Sequence, residues 1–526
     1  MAKKAKDVKM EEALWDSANK LRGTVESSEY KHVVLALIFL KFSSDKFEAR
    51  KKEIIADGKE KYLEMKEFYN MKNVFFLAPE SRWSYIIANA KQDDIALKID
   101  TALHNVEKNN DSLKGALPDN YFSRLNLDPS KLSALLDTIN NIDTLTDKES
   151  DVVGRIYEFF LGRFAAAEGK GGGEFYTPKC IVNLLAEMLE PYKGKIYDPA
   201  CGSGGMFVQS IKFVESHNGN MKDISIYGQE YTATTYKLAK MNLAIRGIAA
   251  NLGDVPADTF FKDQHPDLKA DYIMANPPFN QSQWREKNEL EDDPRWAGFQ
   301  TPPTGNANYA WIMHMLSKLS ETGTAGFVLA NGSMSSNTSG EGEIRQKMID
   351  NDQVDCMIAL PGQLFFTTQI PVCLWFMTKN KKGGSPTGKN FRNREGETLF
   401  IDARNMGSMM DRTHKELTKD DIAKIAQTYH NWRSSASVTQ SGVEGREGEV
   451  YQDEAGYSKS ATLGEIQKND YVLTPGRYVG VAEEEDDGIP FETKMTELTE
   501  TLFAQMAESE NLDKAIRENL KTLGYE

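Results

Sequence analysis

The chain has 526 residues, 40% of them hydrophobic, which is enough for substantial cores and more than one domain. Its 63 Lys and Arg against 78 Asp and Glu give a formal net charge of −15, which excludes a surface that gathers polyanions at long range. Any nucleic-acid contact must then be local or borrowed from a partner.

Residues 1–150 carry helical periodicity, with Leu14, Ala18 and Leu21 on one stripe, and "YKHVVLALIFLKF" predicts a helix buried on most sides. The apolar run Val33 to Leu40 is far shorter than the roughly 20 residues of a bilayer crossing, and Met1 opens no signal-peptide pattern. Cys180, Cys201, Cys356 and Cys373 lack metal-ligand spacing and read as buried thiols in a reducing compartment. The expectation is a cytoplasmic protein with no metal site and no membrane attachment.

From about 151 to 481 the texture changes. "KIYDPACGSGG", "ISIYGQE", "ADYIMANPPF", "AGFVLANGSM", "VDCMIALPGQLFF" and "VCLWFMTK" are short apolar runs separated by helical stretches such as "TTYKLAKMNLAIRG". Such alternation predicts a doubly wound, mostly parallel α/β sheet whose ligands sit at the carboxyl ends of the strands. In "YDPACGSGG", Asp198 ends a strand, and Gly202, Gly204 and Gly205 form a tight turn opening a helix with Phe207 and Val208. The glycines let the backbone approach a ligand closely. Unlike G-x-G-x-x-G, this turn is preceded by an acid, which would repel a pyrophosphate and attract an amine.

Glu230, in "IYGQE", stands where a carboxylate can accept both hydroxyls of a ribose, and Asp254, in "NLGDV", where one can accept from the amine of an adenine. Taken alone, Glu230 also reads as a solvated strand-end charge. A ligand with an amine, a ribose and an adenine but no phosphate is S-adenosylmethionine.

"ADYIMANPPFNQ" ends a buried strand in Asn276, Pro277, Pro278 and Phe279. Alone it would be an ordinary strand-terminating turn. After the glycine turn and the strand-end acids it reads as a clamp for an aromatic amine, whose delocalised lone pair makes it a poor nucleophile. Asn276 Oδ1 and the Pro277 carbonyl can hold both N–H groups, and two prolines fix the carbonyl direction in advance. Phe279 offers a face on which an extruded base can stack.

The polar insertion Gln281 to Asn306 reads either as a solvated loop or as a flap over a flipped base. A Lys/Gly/Ser-rich loop begins near 380, the strand "TLFIDARNM" follows it, and "AEEEDDG" at 482–488 is an acidic linker. Beyond the linker, Met495, Leu498, Leu502, Met506, Ile516, Leu520 and Leu523 form an apolar stripe on one helix or two, for packing at home or docking on a partner.

In this order the motifs resemble DNA adenine-N6 methyltransferases. "DPACGSGG" is similar to that family's cofactor loop, which adds Pro199, Ala200, Cys201 and Ser203 to the implied cofactor contacts, and NPPF is similar to its catalytic tetrapeptide. "GEFYTP" resembles the segment that holds the methionine end, implicating Glu174, Phe175, Tyr176, Thr177 and Pro178. "ALWDSANKLRG", "LPGQLFFTTQIPVCLWF" and "DYVLTPGRYVG" extend the likeness, over about 10–520, to the modification (HsdM) subunit of type I restriction–modification systems.

The resemblance implies a Rossmann-like S-adenosylmethionine-dependent methyltransferase sheet with an all-α amino-terminal domain and a helical tail (482–526) for subunit docking. It also implies double-stranded DNA as substrate, a separate specificity subunit, a second copy of this chain and an optional nuclease/translocase subunit. No stretch remains for sequence-reading domains. A protein-glutamine methyltransferase, a subunit with a decayed site and an NAD-dependent oxidoreductase are the rivals; NPPF and the intact acids argue against them.

Overall fold

The computed structural model describes residues 14–16, 19, 27–142, 144, 159–160, 177–365, 370–383, 391–412, 414–434, 450–481 and 491–522, without the side chains at 27–31, 491–494 and 497. Met1–Gly480 and Val481–Glu526 form two compact units.

The amino-terminal part is helical. Helix α1 (Ser27–Ala56) buries Val33 to Leu40 completely, because a segment apolar all round its circumference needs neighbours on every side. In the same core, α2 (Ile95–Asn109) buries Ile95, Ile99, Ala102, Leu103 and Val106, a single face at helical spacing. A third helix, α3 (Pro129–Asn140), starts where Pro129 pre-sets the backbone and Asp128 accepts from Ser130 N at 2.8 Å.

Nine strands form the central sheet: β1 (Gly194–Asp198), β2 (Ile224–Gly228), β3 (Ala250–Asn251), β4 (Ala270–Ala275), β5 (Leu319–Ala330), β6 (Val354–Ala359), β7 (Val372–Thr378), β8 (Glu397–Asp402) and β9 (Ser458–Thr462). Their order is β9-β8-β6-β7-β5-β4-β1-β2-β3. The run from β3 to β5 is parallel, as expected. The far half is mixed, because β7 lies antiparallel between β5 and β6, and β9 antiparallel on β8. An antiparallel pair such as β6 and β7 does not require the helical crossover that parallel strands need.

Strand alternation feeds two cores. Ile196, Tyr272 and Met274 enter one, with α4 (Lys179–Leu189), α5 (Gly205–Ser216) and α9 (Lys419–Arg433); Tyr197, Ile273 and Ala275 enter the other, with α7 (Asn308–Lys318) and α8 (Glu341–Asp350). Helix α6 (Ala233–Ile245) belongs to two cores. Tyr236, Ala239 and Leu243 face the sheet, whereas Leu238, Met241 and Ile245 complete the core of the amino-terminal helices.

The second unit holds one helix, α10 (Phe491–Thr522), which resolves the choice between one helix and two. Its Met495, Leu498, Leu502, Met506, Ile516 and Leu520 are exposed. Leu523, the linker 482–488, the boundary expected near 150 and residues 384–390 of the Lys/Gly/Ser-rich loop lie outside the described residues. Among the described residues no helix is long and apolar enough to cross a membrane, and no group of side chains suits a metal ion. All four cysteines are buried and free.

Candidate active site

The site lies where the order of the parallel strands reverses direction. The chain runs outward from β1 through β2 to β3, then resumes on the other side of β1 with β4, which leaves a crevice at the carboxyl ends of these strands. Asp198 is the last residue of β1, Glu230 lies two residues beyond β2, Asp254 follows β3, and Asn276 follows β4 directly.

The loop after Asp198 is a shaped cradle. Gly202 and Gly204 have φ of 52° and 78°, in the left-handed region that glycine adopts without strain. A Cβ on Gly202 or Gly205 would meet nothing within 4 Å, so the space over these residues is open to a ligand. Glu230 shapes the loop from the side: its Oε2 accepts from Gly202 N at 3.0 Å and its Oε1 from Thr232 N at 2.8 Å.

Asp198 is 1% exposed and accepts from Ala200 N at 3.0 Å. Burial, with the Glu230 carboxylate adding to it, outweighs that N–H and pushes the Asp198 carboxyl up to about 8. At such a value the carboxyl is largely protonated at neutral pH, and a cation placed beside it would favour its charged form. Asp254 is exposed, and its N–H donates to Gln264 Oε1 at 3.2 Å.

On the other side of β1, Asn276 Nδ2 donates to Thr177 Oγ1 at 2.9 Å. In this arrangement the amide nitrogen faces Thr177 and the oxygen points away from it. The turn is closed by a reciprocal pair: Asn280 N donates to Asn308 Oδ1 at 3.0 Å and Asn308 Nδ2 to Asn280 Oδ1 at 2.9 Å. Asn280 takes the left-handed φ of 51° that asparagine tolerates. Phe279 is half-buried, not fully exposed as a stacking platform would suggest. Its ring meets the edge of Phe365 with centroids 5.7 Å apart at 78°.

Thr177 and Pro178, the latter just before α4, thus reach the site across almost a hundred residues of sequence. Glu174, Phe175 and Tyr176 lie outside the described residues. Several framing residues carried no local signal. Gln229, fully buried, donates to Ala257 O at 3.1 Å and Lys262 O at 2.9 Å, and Thr259 Oγ1 donates to Pro199 O at 2.6 Å. Tyr231, beside Glu230, is 72% exposed.

The insertion is anchored rather than loose. Ala307 N donates to Gln281 O at 2.9 Å, Trp284 and Trp296 are buried against each other, and Arg295 Nη1 donates to Thr259 O at 3.1 Å.

Residues 148–487 match the family described as N-6 DNA Methylase, and residues 10–139 match the HsdM N-terminal domain. The type I restriction enzyme HindI methylase subunit of Haemophilus influenzae is 50% identical over 443 residues, which is 83% of this chain and 94% of that protein. The MjaIX methylase subunit of Methanocaldococcus jannaschii is 40% identical over 536 residues, 98% of this chain and 91% of that one. The crystal structure of a type I restriction-modification system methyltransferase subunit from Streptococcus thermophilus shares the fold, with a TM-score of 0.72 at 22% identity over 90% of this chain and 99% of that one.

Proposed function

The chain belongs to the N-6 DNA methylase family, among the methylase subunits of type I restriction enzymes, and from that premise we propose that it methylates N6 of an adenine swung out of DNA, drawing the methyl from S-adenosylmethionine at a site chosen by a separate specificity subunit. The observation that carries this reading is the row of parallel strand ends: an acid-flanked open glycine cradle stands on one side of β1, and a fixed Asn276 amide adjoins it on β4.

The cradle fits this cofactor. When bound, S-adenosylmethionine supplies a methyl group activated by its sulfonium. Asp198, brought to its charged form, pairs with the amine, and Glu230 accepts the ribose hydroxyls. Asp254 meets the adenine amine. Pro199, Ala200, Cys201 and Ser203 carry the loop backbone around the ligand, while Glu174, Phe175, Tyr176, Thr177 and Pro178 hold the methionine end.

At the β4 mouth, Asn276 Oδ1 and the Pro277 carbonyl accept the two N–H groups of the target amine and turn its lone pair toward the methyl. Pro278 keeps that carbonyl in place, and Phe279 stacks on the base, worth roughly 1–3 kcal/mol against the few that flipping costs. The proton leaves after transfer, because an N-methylated ammonium is acidic enough to release it to solvent. Alignment of amine and methyl supplies the larger part of the acceleration, with effective molarities of about 10⁵ M or more.

A chain of charge −15 does not select DNA alone. The specificity subunit brings it there with a second copy of this chain, a nuclease/translocase subunit joins the assembly, and α10 supplies the docking stripe. The test is to incubate the chain with DNA and methyl-labelled cofactor, with and without the specificity subunit. Label in N6-methyladenine at one recurrent sequence, dependent on the subunit, is expected. Label on protein, or at scattered sites without the subunit, would overturn the reading.

A further inference from the structure

Helix α6 reaches both the amino-terminal core and the glycine cradle. Asn242 lies on it, 4% exposed, and donates through Nδ2 to the Ser203 carbonyl at 2.7 Å. Its Oδ1 accepts from Arg246 Nη1 one turn later, and the same guanidinium nitrogen donates to Asn242 O at 2.9 Å. Arg246 thereby fixes which end of the amide faces the loop. Leu243, the next residue, sits under Gly204 so closely that a Cβ there would come within 3.4 Å of it. Behind these residues, Leu238, Met241 and Ile245 are sunk in the core of the amino-terminal helices, so α6 cannot shift without disturbing that core.

We propose that Asn242, oriented by Arg246, is a positioning residue whose bond to the Ser203 carbonyl sets the shape of the Gly202 to Gly205 cradle for cofactor binding. The inference rests on the assignment of that cradle to S-adenosylmethionine. A neutral amide donor on a backbone carbonyl at this distance is a full hydrogen bond, and the carbonyl belongs to the loop's most open stretch. Losing it frees Ser203 to rotate without touching the reacting groups.

The deciding variant is Asn242→Asp. It keeps size and strengthens the pairing with Arg246, but sets an acceptor against the Ser203 carbonyl. Asn242→Ser is the second variant, and Met241→Ala, which truncates a neighbouring side chain buried in the amino-terminal core, is the control for general loosening. S-adenosylmethionine binding is measured by calorimetry on the full chain, with kcat and KM for the cofactor in the assembled enzyme. Both Asn242 variants should weaken binding about five- to thirtyfold and raise KM alike, with kcat at saturating cofactor within about twofold of wild type. Met241→Ala should lower Tm and leave cofactor KM unmoved. Wild-type affinity in both Asn242 variants, or an equal KM rise in Met241→Ala, would overturn the positioning role alone. Failure of the wild-type chain to bind S-adenosylmethionine would instead overturn the cofactor assignment beneath it.

Discussion

Asp198 makes the most quantitative demand on solution behaviour. Its carboxyl stands at about 8 instead of the ordinary 3.8, because it is buried and Glu230 is nearby. At pH 7 about nine in ten free molecules hold a proton there. If the charged carboxylate is the form that pairs with the cofactor's amine, binding at pH 7 must release about 0.9 proton per site. Apparent affinity should then rise nearly tenfold from pH 6 to 7, about 1.4 kcal/mol, pass through a maximum near pH 8, and fall above it as the cofactor's own α-amine, ordinarily about 7.7–8.0, loses its proton.

Calorimetry in two buffers of different ionisation enthalpy reads this directly, since the observed heat changes with the buffer in proportion to the protons released. Asp198→Asn should bind more weakly, with buffer-independent heat and a flat profile from pH 6 to 7. Stability follows the same carboxyl with a definite sign. Its folded value lies above its unfolded one, so its contribution is fully present below about 3.8 and is lost as pH rises through about 8. Without cofactor, Asp198→Asn should therefore melt higher than wild type at pH 9 and about level with it at pH 4. Buffer-independent heat and a flat affinity profile in the wild-type chain would refute the reasoning.

Two further outcomes follow from other contacts. Thr177→Val removes the acceptor of the Asn276 amide and should lower kcat about five- to fifteenfold, with Thr177→Ser restoring most of it; an unchanged kcat would show that the bond does not orient the clamp. Charged replacements at Leu502 and Ile516 of α10 should abolish co-elution with the specificity subunit while leaving cofactor binding intact; an undiminished complex would rule out α10 as the docking element.

The near half of the fold was legible because its signals are local. Apolar runs of strand length, Asp198 before three glycines and NPPF after "ADYIMA" each declare themselves within a dozen residues, and β1, β2, β4 and β5 appear where those runs lie. The insertion of β7 between β5 and β6 was not legible, since strand order is decided by which edges meet in three dimensions. Nor was the double allegiance of α6: its apolar residues fit one thick stripe in sequence, and only the packed chain divides them between two cores. Thr177 and Asn276 are 99 residues apart, so no spacing rule joins them. The raised carboxyl of Asp198 arises from burial that its own segment does not encode, because the cover comes from β2, β4 and the loop carrying Glu230.

The central claim is that the amide of Asn276 holds the target amine and not the cofactor. The direct measurement is Asn276→Ala in complex with the specificity subunit, assayed for methyl transfer to DNA and, in parallel, for S-adenosylmethionine affinity. Transfer reduced by at least about a thousandfold with affinity within about threefold of wild type is the predicted result. Substantial transfer to adenine by the variant, or loss of cofactor binding that accounts for the whole defect, would contradict it.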